Sequence, residues 1–542
     1  MKAICQTGSF EAFSMYNAIY VDKTELIYSL VSLPNRIFIS RPRRFGKSLT
    51  LDTIATLFET GVEPYFKGTW IYDKWTEPTY PVLRLNFLNF DKNSLEKFNN
   101  KLNSKITEFA ELNHVTSYKE KEEAEDSIDH LLEQLRLENR QIVILIDEYD
   151  CQMTANINNE TLYKQFQEKI KSFYANIKDK FAIKFLGITG VTRLKDVSIF
   201  SVGSDINDIT NASAYSQMIG FTRDEIKKYY IDYLKLASSY ENNCSVGDVT
   251  DTQLESMLDM MAQNYDGYCF DEDYEKKVFS TWSVNKFFQT MIEKKKVQFG
   301  EYWYDNGGLP SILVNYLKTH ELNIFEYLDK DKFLKVSSDD FKNPTALTTI
   351  NQNVLMCQTG YLTLRSDLNK TSTVALGIPN GEIYKALNRL LANNIFKGNT
   401  DITDDYGRSL LEVGTVDDII NLFNSALNSV SYDNYPIVSE SSVQNMLKLY
   451  LLGAHQEVLS EVHEAKGRAD LVVNTDNRRI VFEFKYAKNE AEAKSKLSEA
   501  VEQIKTRDYG NILPKKNELI RIAAVFNADP KVRAFTENQI VP

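Results

Sequence analysis

Short apolar runs alternate with longer amphipathic segments along the first 240 residues of the chain. Three of these runs are almost continuously apolar, which is typical of parallel strands buried on both faces. Because helix-like segments separate the runs, the pattern predicts a parallel, three-layer α/β domain. The five predicted strands lie in residues 37–39, 80–87, 141–150, 181–190 and 215–221.

Beyond residue 237 the pattern changes to helical runs separated by aromatic, glycine-bearing loops. These runs predict a mostly helical middle region, which could form a lid over a ligand. Equally, its aromatic residues could be ordinary core residues and its glycines turn residues. The last hundred residues follow the order helix, three strands, helix and strand, which predicts a second α/β domain. The predicted domains are therefore 1–237, 238–436 and 437–542.

Composition places the chain among ordinary globular proteins, because 43% of its 542 residues are hydrophobic and 25% are charged. No apolar run approaches the roughly 18 residues that a membrane-spanning helix needs, and the first residues lack the pattern of a secretory signal. We therefore expect a cytoplasmic protein that does not enter the membrane. The five cysteines include no CxxC pair, so neither a disulfide framework nor a zinc site is predicted.

The formal net charge of −12 argues against a protein that coats nucleic acid along its whole surface. The acidity is uneven, however. Residues 431–542 contain 16 Lys and Arg and 16 Asp and Glu, against 47 and 59 in the preceding part of the chain. The charge pattern therefore leaves room for a local basic groove in the C-terminal domain, although the counts do not show one.

The first candidate site is the segment RIFISRPRRFGKS at 36–48, where a predicted strand leads through a loop into a helix. A loop of this kind directs backbone amides and a helix N-terminus at one point, which suits a phosphate. Lys47 would then reach the β- and γ-phosphates, Ser48 would complete the shell of a Mg²⁺ ion, and Gly46 would be part of the same phosphate-binding loop. The segment departs from GxxxxGK[ST], because Arg41 stands at the first glycine, although Arg43 and Arg44 add cations. The alternative is a basic surface loop.

A second group of residues follows the predicted strand QIVILIDEYD. Its acids would lie at the carboxyl edge of the sheet, where Asp147 could hold Mg²⁺ through water and Glu148 could orient the attacking water. Thr189, at the end of another predicted strand, and Arg193 just after it could sense the γ-phosphate. The alternative interpretation is an acidic turn, a strand-ending threonine and a surface arginine. A Thr189 strand between the Lys47 and Asp147 strands would indicate the additional-strand class of P-loop ATPases.

A third group lies on the strand RIVFEFKYA near the C-terminus. Glu483 and Lys485 are two residues apart and therefore share one face, while the apolar residues between and before them share the other. Asp470, on the preceding predicted strand, could pair across from them. Two carboxylates can bind Mg²⁺, and Lys485 could hold or help deprotonate an attacking water. This arrangement predicts phosphodiester hydrolysis, although an E-x-K pattern on an exposed strand face also occurs by chance.

The N-terminal motifs together resemble a known family. YVDKTELI, RPRRFGKS, LIDEYD, GITGVTRL and MIGFTRDEI are similar to segments of the AAA-ATPase-like family of bacterial proteins, many of which end in a PD-(D/E)XK nuclease domain. The resemblance implies that the nucleotide is ATP and that an arginine-rich P-loop is usual in this family. Arg193 is a candidate for the arginine that many P-loop ATPases place at the γ-phosphate, in cis or from a neighbour. A homo-oligomer is therefore one possibility.

The C-terminal residues resemble the PD-(D/E)XK signature itself. Asp470 followed by Glu483 and Lys485 matches the motif, with Ala469 in place of the proline that often precedes the aspartate. The resemblance implies a restriction-endonuclease-like fold in which Glu440 supplies an extra acidic metal ligand. It also implies that two residues of the following helical region support the nuclease site, namely Gln503 and Tyr509.

Three hypotheses follow. In the first, an ATPase module is coupled through the helical middle region to a Mg²⁺-dependent nuclease that acts on nucleic acid, with DNA favoured over RNA. In the second, the chain is a nucleotide-controlled switch whose C-terminal domain binds nucleic acid or protein without cutting it. In the third, only the ATPase is active. We favour the first, because both sets of motifs are present.

Overall fold

The computed structural model divides the chain into two compact units, Met1–Leu322 with Asp331–Ile383, and Asn323–Lys330 with Tyr384–Pro542. The boundaries of the three predicted domains stay a prediction. The structure describes residues 1–33, 35–178, 180–194, 206–303, 311–317, 320, 324–344, 346–347, 349–370, 372–396, 405–454, 456–464, 467–510 and 518–542.

The first unit contains a five-stranded parallel sheet, a smaller antiparallel sheet and many helices. Its strands are β1 (Asn35–Ser40), β2 (Val82–Asn86), β3 (Ile142–Asp147), β4 (Ile183–Gly190), β5 (Asn207–Asp208), β6 (Leu334–Ser337), β7 (Thr363–Leu364) and β8 (Thr373–Gly377). Its helices are α1 (Glu11–Met15), α2 (Thr24–Val31), α3 (Lys47–Thr60), α4 (Leu95–Leu112), α5 (Ala124–Leu137), α6 (Cys151–Ala155), α7 (Glu160–Ile177), α8 (Arg223–Tyr229), α9 (Ile231–Asn242), α10 (Asp251–Tyr265), α11 (Thr281–Lys294), α12 (Ser311–Leu317), α13 (Ser338–Lys342) and α14 (Gln352–Thr359).

The parallel sheet has the strand order β2-β3-β4-β1-β5. The strands β3 and β4 are buried along their whole length, as their apolar sequences predicted. β4, which ends next to Thr189, lies between the strand that precedes Lys47 and the strand that ends at Asp147. The arrangement expected for an additional-strand P-loop ATPase is therefore present.

The predicted fifth strand at 215–221 is wrong. Those residues form turns, with only a single isolated bridge between Phe221 and Phe279. The fifth strand of the sheet is the two-residue β5, which pairs in parallel with β1. The apolar residues Met218 and Ile219 are nevertheless buried, so their hydrophobicity reflects packing in a turn and not a strand.

The region after β5 is mostly helical, as expected. Helices α8 and α10 both begin with a capping box, in which a threonine and a Glu or Gln three residues later satisfy each other's backbone amides. A cluster of buried aromatic, methionine and leucine side chains joins α9, α10 and α11. The small sheet has the order β6-β8-β7 and is antiparallel.

The second unit is built on a mixed five-stranded sheet of order β13-β12-β11-β10-β9, in which β11 and β12 are parallel and the other pairs antiparallel. The predicted helix-strand-strand-strand-helix-strand order is present, with β13 added. The α/β fold class predicted for both ends of the chain is thus confirmed. The remaining elements are α15 (Gly381–Ile395), α16 (Asp405–Val413), α17 (Val416–Asn428), α18 (Glu440–Gly453), β9 (Glu457–Glu464), β10 (Gly467–Asn474), β11 (Arg478–Ala487), α19 (Glu490–Arg507), β12 (Glu518–Asn527) and β13 (Ala534–Ile540).

The structure also describes the hydropathy of the helices and the state of the cysteines. Within the described residues, every helix is too short or too polar to cross a bilayer. The five cysteines carry free thiols.

Candidate functional site

The loop between β1 and α3 takes its unusual backbone angles at its centre and at its end. Gly46, immediately before α3, has φ 107°, and Arg44 has φ 68°. Glycine is favoured at such angles because it lacks a Cβ. Arg41, at the position of the missing first glycine, is not among the residues with positive φ. The departure from the GxxxxGK[ST] pattern therefore creates no backbone strain at Arg41.

The Arg41 side chain belongs to the core instead of the phosphate site. It is 1% exposed, donates hydrogen bonds to the carbonyls of Ser40 and Thr210 at 2.9 and 2.6 Å, and stacks 4.1 Å above the Phe270 ring. Burial lowers the pKa of Arg41 to about 9, and Asp208 opposes this change. Arg41 therefore fixes the start of the loop against the segment that follows β5.

Asp147 connects two of the other predicted site residues. Its Oδ2 accepts a hydrogen bond of 2.6 Å from the Ser48 hydroxyl, and its Oδ1 accepts one from the Thr189 hydroxyl. The backbone amide of Glu148 also donates to Oδ1, at 3.0 Å. Since Asp147 is only 7% exposed, these donors hold its carboxylate in a fixed position. The structure thus brings Ser48, Asp147 and Thr189 together at the carboxyl edge of the sheet.

Lys47 and Glu148 face each other beside this group. The Lys47 ammonium, 4% exposed, donates to the carbonyls of Arg41 and Pro42 at 3.0 and 3.3 Å and lies 3.7 Å from Glu148 Oε1. Burial raises the pKa of Glu148; Lys47 opposes that rise, and the negative charges of Asp150 and Asp147 add to it. A carboxylate with a raised pKa is a better proton acceptor near neutral pH.

The three remaining cations of the N-terminal prediction are placed differently. Arg43 and Arg44 line the same cavity as Lys47, and the Arg44 guanidinium stacks 4.1 Å above the Trp282 ring. Burial lowers the pKa of Arg44, and the neighbouring Arg43 lowers it further. Arg193 does not line this cavity; it forms an ion pair with Asp208 at 2.5 Å and borders a separate, smaller cavity.

The cavity beside the loop has a volume of about 550 Å³ and runs from Lys47, Ser48 and Glu148 to a largely apolar wall. This is the size range of small-ligand pockets. Sequence reasoning missed the wall, because its residues are distant along the chain. The segments that contain Tyr20, Val21 and Ile219 resemble segments of a known family, but their sequence does not indicate that they share one cavity. The wall includes Gln6, Tyr20, Val21, Ile219, Trp282 and Asn285.

The second candidate site lies on β10 and β11. Glu483 is 0% exposed; its Oε1 lies 2.8 Å from the Lys485 ammonium, and its Oε2 is buried with no hydrogen-bond partner. Asp470, on the neighbouring strand, accepts a hydrogen bond of 2.8 Å from the backbone amide of Phe484. The structure therefore brings Asp470, Glu483 and Lys485 together, as the strand pattern predicted.

The electrostatics of this group are unusual. Burial raises the pKa of Glu483 to about 7, and the charge of Asp470 contributes, while Lys485 opposes the rise. Lys485 also lies 3.3 Å from Glu440 Oε1, at the start of α18. A buried carboxylate oxygen without a partner, next to a second carboxylate, is suited to a cation with oxygen ligands. Among the described residues, however, no group of three His, Cys, Asp or Glu side chains has the spacing of a metal site.

The two predicted supporting residues, Gln503 and Tyr509, contact each other beside the start of β10. Gln503, in α19, donates a hydrogen bond of 3.3 Å to the hydroxyl of Tyr509, which is fully buried. Arg507 donates to the same hydroxyl at 2.8 Å. Sequence reasoning missed Arg507, because a single arginine in a charged helix carries no motif that distinguishes it from its neighbours.

Three solved structures match the chain with TM-scores below 0.3. They include Cdc6p from Pyrobaculum aerophilum (10% identity, 68% of this chain and 92% of that chain, TM-score 0.23). The Aeropyrum pernix ORC1 protein in complex with DNA follows (9% identity, 67% and 91%, TM-score 0.26), as does the Aeropyrum pernix ORC2 protein in its ADPNP-ADP complexes (12% identity, 71% and 94%, TM-score 0.24).

Sequence comparisons are more informative. The chain is 26% identical over 529 residues to the "Uncharacterized protein in vnfD 5'region" of Azotobacter chroococcum mcd 1, covering 94% of this chain and 93% of that protein. One family model, described as "Predicted AAA-ATPase", matches residues 5–200, and another, described as "PD-(D/E)XK nuclease superfamily", matches residues 438–536. The chain therefore combines an AAA-ATPase-like domain at its N-terminal end with a C-terminal domain of the PD-(D/E)XK nuclease superfamily.

Proposed function

We propose that the N-terminal site binds and hydrolyses ATP with Mg²⁺, that the C-terminal site is a Mg²⁺-dependent nuclease acting on DNA, and that the nucleotide state controls cleavage. Support for an ATPase and a nuclease comes from the two family matches. The observation that carries the nuclease proposal is the Glu483 carboxylate, which is fully buried with one oxygen unpartnered and lies beside Asp470 and Lys485.

At the N-terminal site, the first-turn amides of α3 and the Lys47 ammonium would bind the phosphates. Lys47 now donates to two loop carbonyls, and a triphosphate would replace them as acceptor. Ser48 and Asp147 offer the hydroxyl and carboxylate oxygens that Mg²⁺ prefers. Glu148 would orient the attacking water and accept its proton, a role that its raised pKa favours. The apolar wall of the cavity would receive the nucleoside.

At the C-terminal site, Asp470 and Glu483 would hold Mg²⁺, with Glu440 close enough to Lys485 to contribute a further carboxylate. A bound Mg²⁺ ion supplies an acidified water and stabilises negative charge at phosphorus. Lys485 would orient the attacking water through a hydrogen bond, because its ammonium lies beside Glu483. The match to the PD-(D/E)XK nuclease superfamily supports a nucleic-acid substrate, and the choice of DNA over RNA is part of the proposal.

One observation supports a second candidate function. The Lys485 ammonium is already bound by both Glu483 and Glu440, and the described residues include no three-ligand metal cluster. Such a site could persist in a module that binds nucleic acid or protein under nucleotide control without cutting it.

A plasmid-cleavage assay in Mg²⁺ or Mn²⁺, with and without ATP, tests the proposal. We expect Lys485→Ala to lose cleavage by about a hundredfold or more, because it removes a cation beside the reacting phosphate, while ATP affinity is unchanged. Lys47→Ala should weaken ATP binding by about tenfold to a hundredfold, because a charged hydrogen bond is lost. The exposed lysines Lys488 and Lys67 provide matched Lys→Ala controls.

Cleavage that survives in Lys485→Ala would reject the nuclease assignment. A wild-type chain that binds DNA but never nicks the plasmid, with any metal or nucleotide, would instead favour the switch. Cleavage that is equal with and without ATP, in both the wild type and Lys47→Ala, would reject nucleotide control.

A further inference from the structure

Arg507 lies at the end of a helix in the second compact unit, where it contacts a buried tyrosine. It is the last residue of α19 (Glu490–Arg507), and its Nη1 donates a 2.8 Å hydrogen bond to the Tyr509 hydroxyl. Gln503 donates to the same oxygen at 3.3 Å. Because Tyr509 is fully buried, its hydroxyl is a fixed acceptor that sets where the Arg507 guanidinium lies.

The Arg507 side chain also passes over β10 at a glycine. A Cβ placed on Gly467 would lie 2.5 Å from Arg507 Cδ and 3.2 Å from the Tyr509 hydroxyl. Real Cβ atoms do not approach other atoms to 2.5 Å, so any larger residue at 467 would displace Arg507. Gly467 begins β10 and precedes Asp470 by three residues. The close approach therefore places the arginine next to the strand that carries a site carboxylate.

The charge of Arg507 is near the site carboxylates but is not neutralised by them. The pKa of Arg507 is raised mainly by its hydrogen bond to the Tyr509 hydroxyl. The negative charges of Glu483 and Asp470 raise it further. Within the described part of the chain, no carboxylate lies at ion-pair distance from Arg507, and its side chain is partly exposed. A guanidinium has five N–H donors, of which the tyrosine uses one.

We propose that Arg507 binds the non-bridging oxygens of a DNA phosphate next to Asp470 and Glu483. This inference rests on the proposed nuclease function. Arg507 is a substrate-binding residue in this account, since a planar guanidinium fork matches two phosphate oxygens. Gln503 and Tyr509 are positioning residues that act through Arg507, and Gly467 leaves the space that its side chain needs.

The chain offers a matched control in Lys505, an exposed cation in the same last turn of α19. Removing either residue changes the net charge equally, so a general loss of attraction to DNA would affect both variants alike. Only a direct phosphate contact predicts a difference between them. Arg507→Lys retains the charge and removes the fork, which separates bidentate binding from charge alone.

Two measurements test the proposal. Fluorescence anisotropy of a labelled duplex in EDTA reports binding without cleavage, and cleavage in Mg²⁺ reports kcat and KM. We expect Arg507→Ala to weaken binding by about tenfold and to reduce the slope of log affinity against log salt by about 1. Its kcat should fall about tenfold to a hundredfold. Arg507→Lys should recover most of the binding but little of kcat, and Lys505→Ala should stay within about twofold of the wild type.

Equal effects of Arg507→Ala and Lys505→Ala would overturn the inference, as would a wild-type chain that does not bind the duplex. A wild type that binds but does not cleave would reject the proposed nuclease while the binding comparison still decides the role of Arg507. If Arg507→Ala does not fold, Arg507→Lys still tests the proposal. A kcat equal to that of the wild type in Arg507→Lys would contradict a bidentate contact.

A double-mutant cycle with Gly467→Ala provides a second, independent test. The added methyl should lower cleavage by displacing Arg507, so it should have almost no further effect when Arg507 is already alanine. Additive losses would show that Gly467 acts by another route and would contradict the stated role of Gly467.

Discussion

The charged form of the Glu483 side chain destabilises the folded protein, because the folded protein holds this carboxylate away from water. Its carboxylate is fully buried, and burial, together with the charge of Asp470, raises its pKa to about 7. In the unfolded chain the pKa of a glutamate is about 4.3. As pH rises from about 4.5 to 7, the unfolded chain loses this proton before the folded chain does, so folding stability falls across that window and is constant above it.

This dependence on pH predicts how Glu483→Gln changes folding stability when EDTA keeps metal ions from the site. Glutamine resembles the neutral acid, so the variant should lack this loss of stability, which is about 3–4 kcal/mol for a pKa raised from about 4.3 to about 7. Relative to the wild type, Glu483→Gln should therefore gain stability between pH 5 and pH 8. Denaturant unfolding of the C-terminal unit measures the difference, and the exposed Glu490→Gln serves as control. A gain that does not change with pH would contradict the raised pKa.

At the scale of single residues, the sequence predicted which side chains lie together better than it predicted the residues that position them. Lys47, Ser48 and Asp147 were found from motif spacing, and Glu483 and Lys485 from the two-residue period of a strand. Arg507 could not be found in this way, because its position depends on a buried tyrosine hydroxyl and on the empty space at Gly467. These conditions exist only after the chain has folded.

The end of β4 is tied to the turn that follows β3. Asp150 accepts hydrogen bonds from the Thr192 amide at 2.7 Å and from its hydroxyl, and the Tyr149 hydroxyl donates to the Thr192 carbonyl at 3.1 Å. Gly190 allows this approach, since a Cβ there would lie 2.5 Å from the Tyr149 ring and 2.9 Å from Asp150 Oδ1. The connection holds the ends of β3 and β4, which carry Asp147 and Thr189, at a fixed spacing.

We expect Gly190→Ala to destabilise the N-terminal unit by about 1–3 kcal/mol, because the methyl overpacks a buried contact. It should also weaken the proposed binding of ATP with Mg²⁺, since Tyr149 and Asp150, which must move, follow Asp147 and Glu148 directly in the chain. Denaturant unfolding and ATP titration measure the two effects. Gly247→Ala is the control, because a Cβ there meets no atom closer than 3.9 Å. Equal stability of the two variants would contradict the role given to Gly190.

At the scale of elements, long apolar runs were predicted and short or irregular pieces were not. The buried strands β3 and β4 have almost continuously apolar sequences, which are typical of strands buried on both faces. The two-residue β5 is too short to show any period, whereas the run at 215–221 has the pattern of a strand and predicts one there. Hydrophobicity reports that a residue is buried, but a turn that lines a cavity can bury Met218 and Ile219 equally well.

The second compact unit is discontinuous, because it combines Asn323–Lys330 with Tyr384–Pro542. In the short segment, Ile324, Tyr327 and Leu328 are almost fully buried. The Leu328 carbonyl accepts hydrogen bonds from the Tyr384 hydroxyl at 2.9 Å and from the Lys448 ammonium at 2.8 Å. No sequence pattern indicates such a return of the chain, because the partners are separated by 56 and 120 residues.

A fragment of residues 384–542 should consequently be less stable than the same unit in the full chain. We expect a loss of at least about 2–4 kcal/mol from one neutral and one charged hydrogen bond, and the lost burial of Ile324, Tyr327 and Leu328 adds to it. Denaturant unfolding of the fragment measures this loss, and a peptide of residues 323–330 added in excess should restore part of it. A scrambled peptide of the same composition is the control. A fragment as stable as the intact unit would show that the segment contributes nothing.

The discontinuous unit also has a consequence for protein synthesis. A ribosome adds about 5–20 residues per second, so Lys448 is made roughly 6–24 s after Leu328, which is 120 residues earlier. During that interval the buried side chains of the early segment have no finished partner and are open to chaperones or to aggregation. The nuclease-superfamily unit can therefore mature only late in translation, after the ATPase-like region has been made.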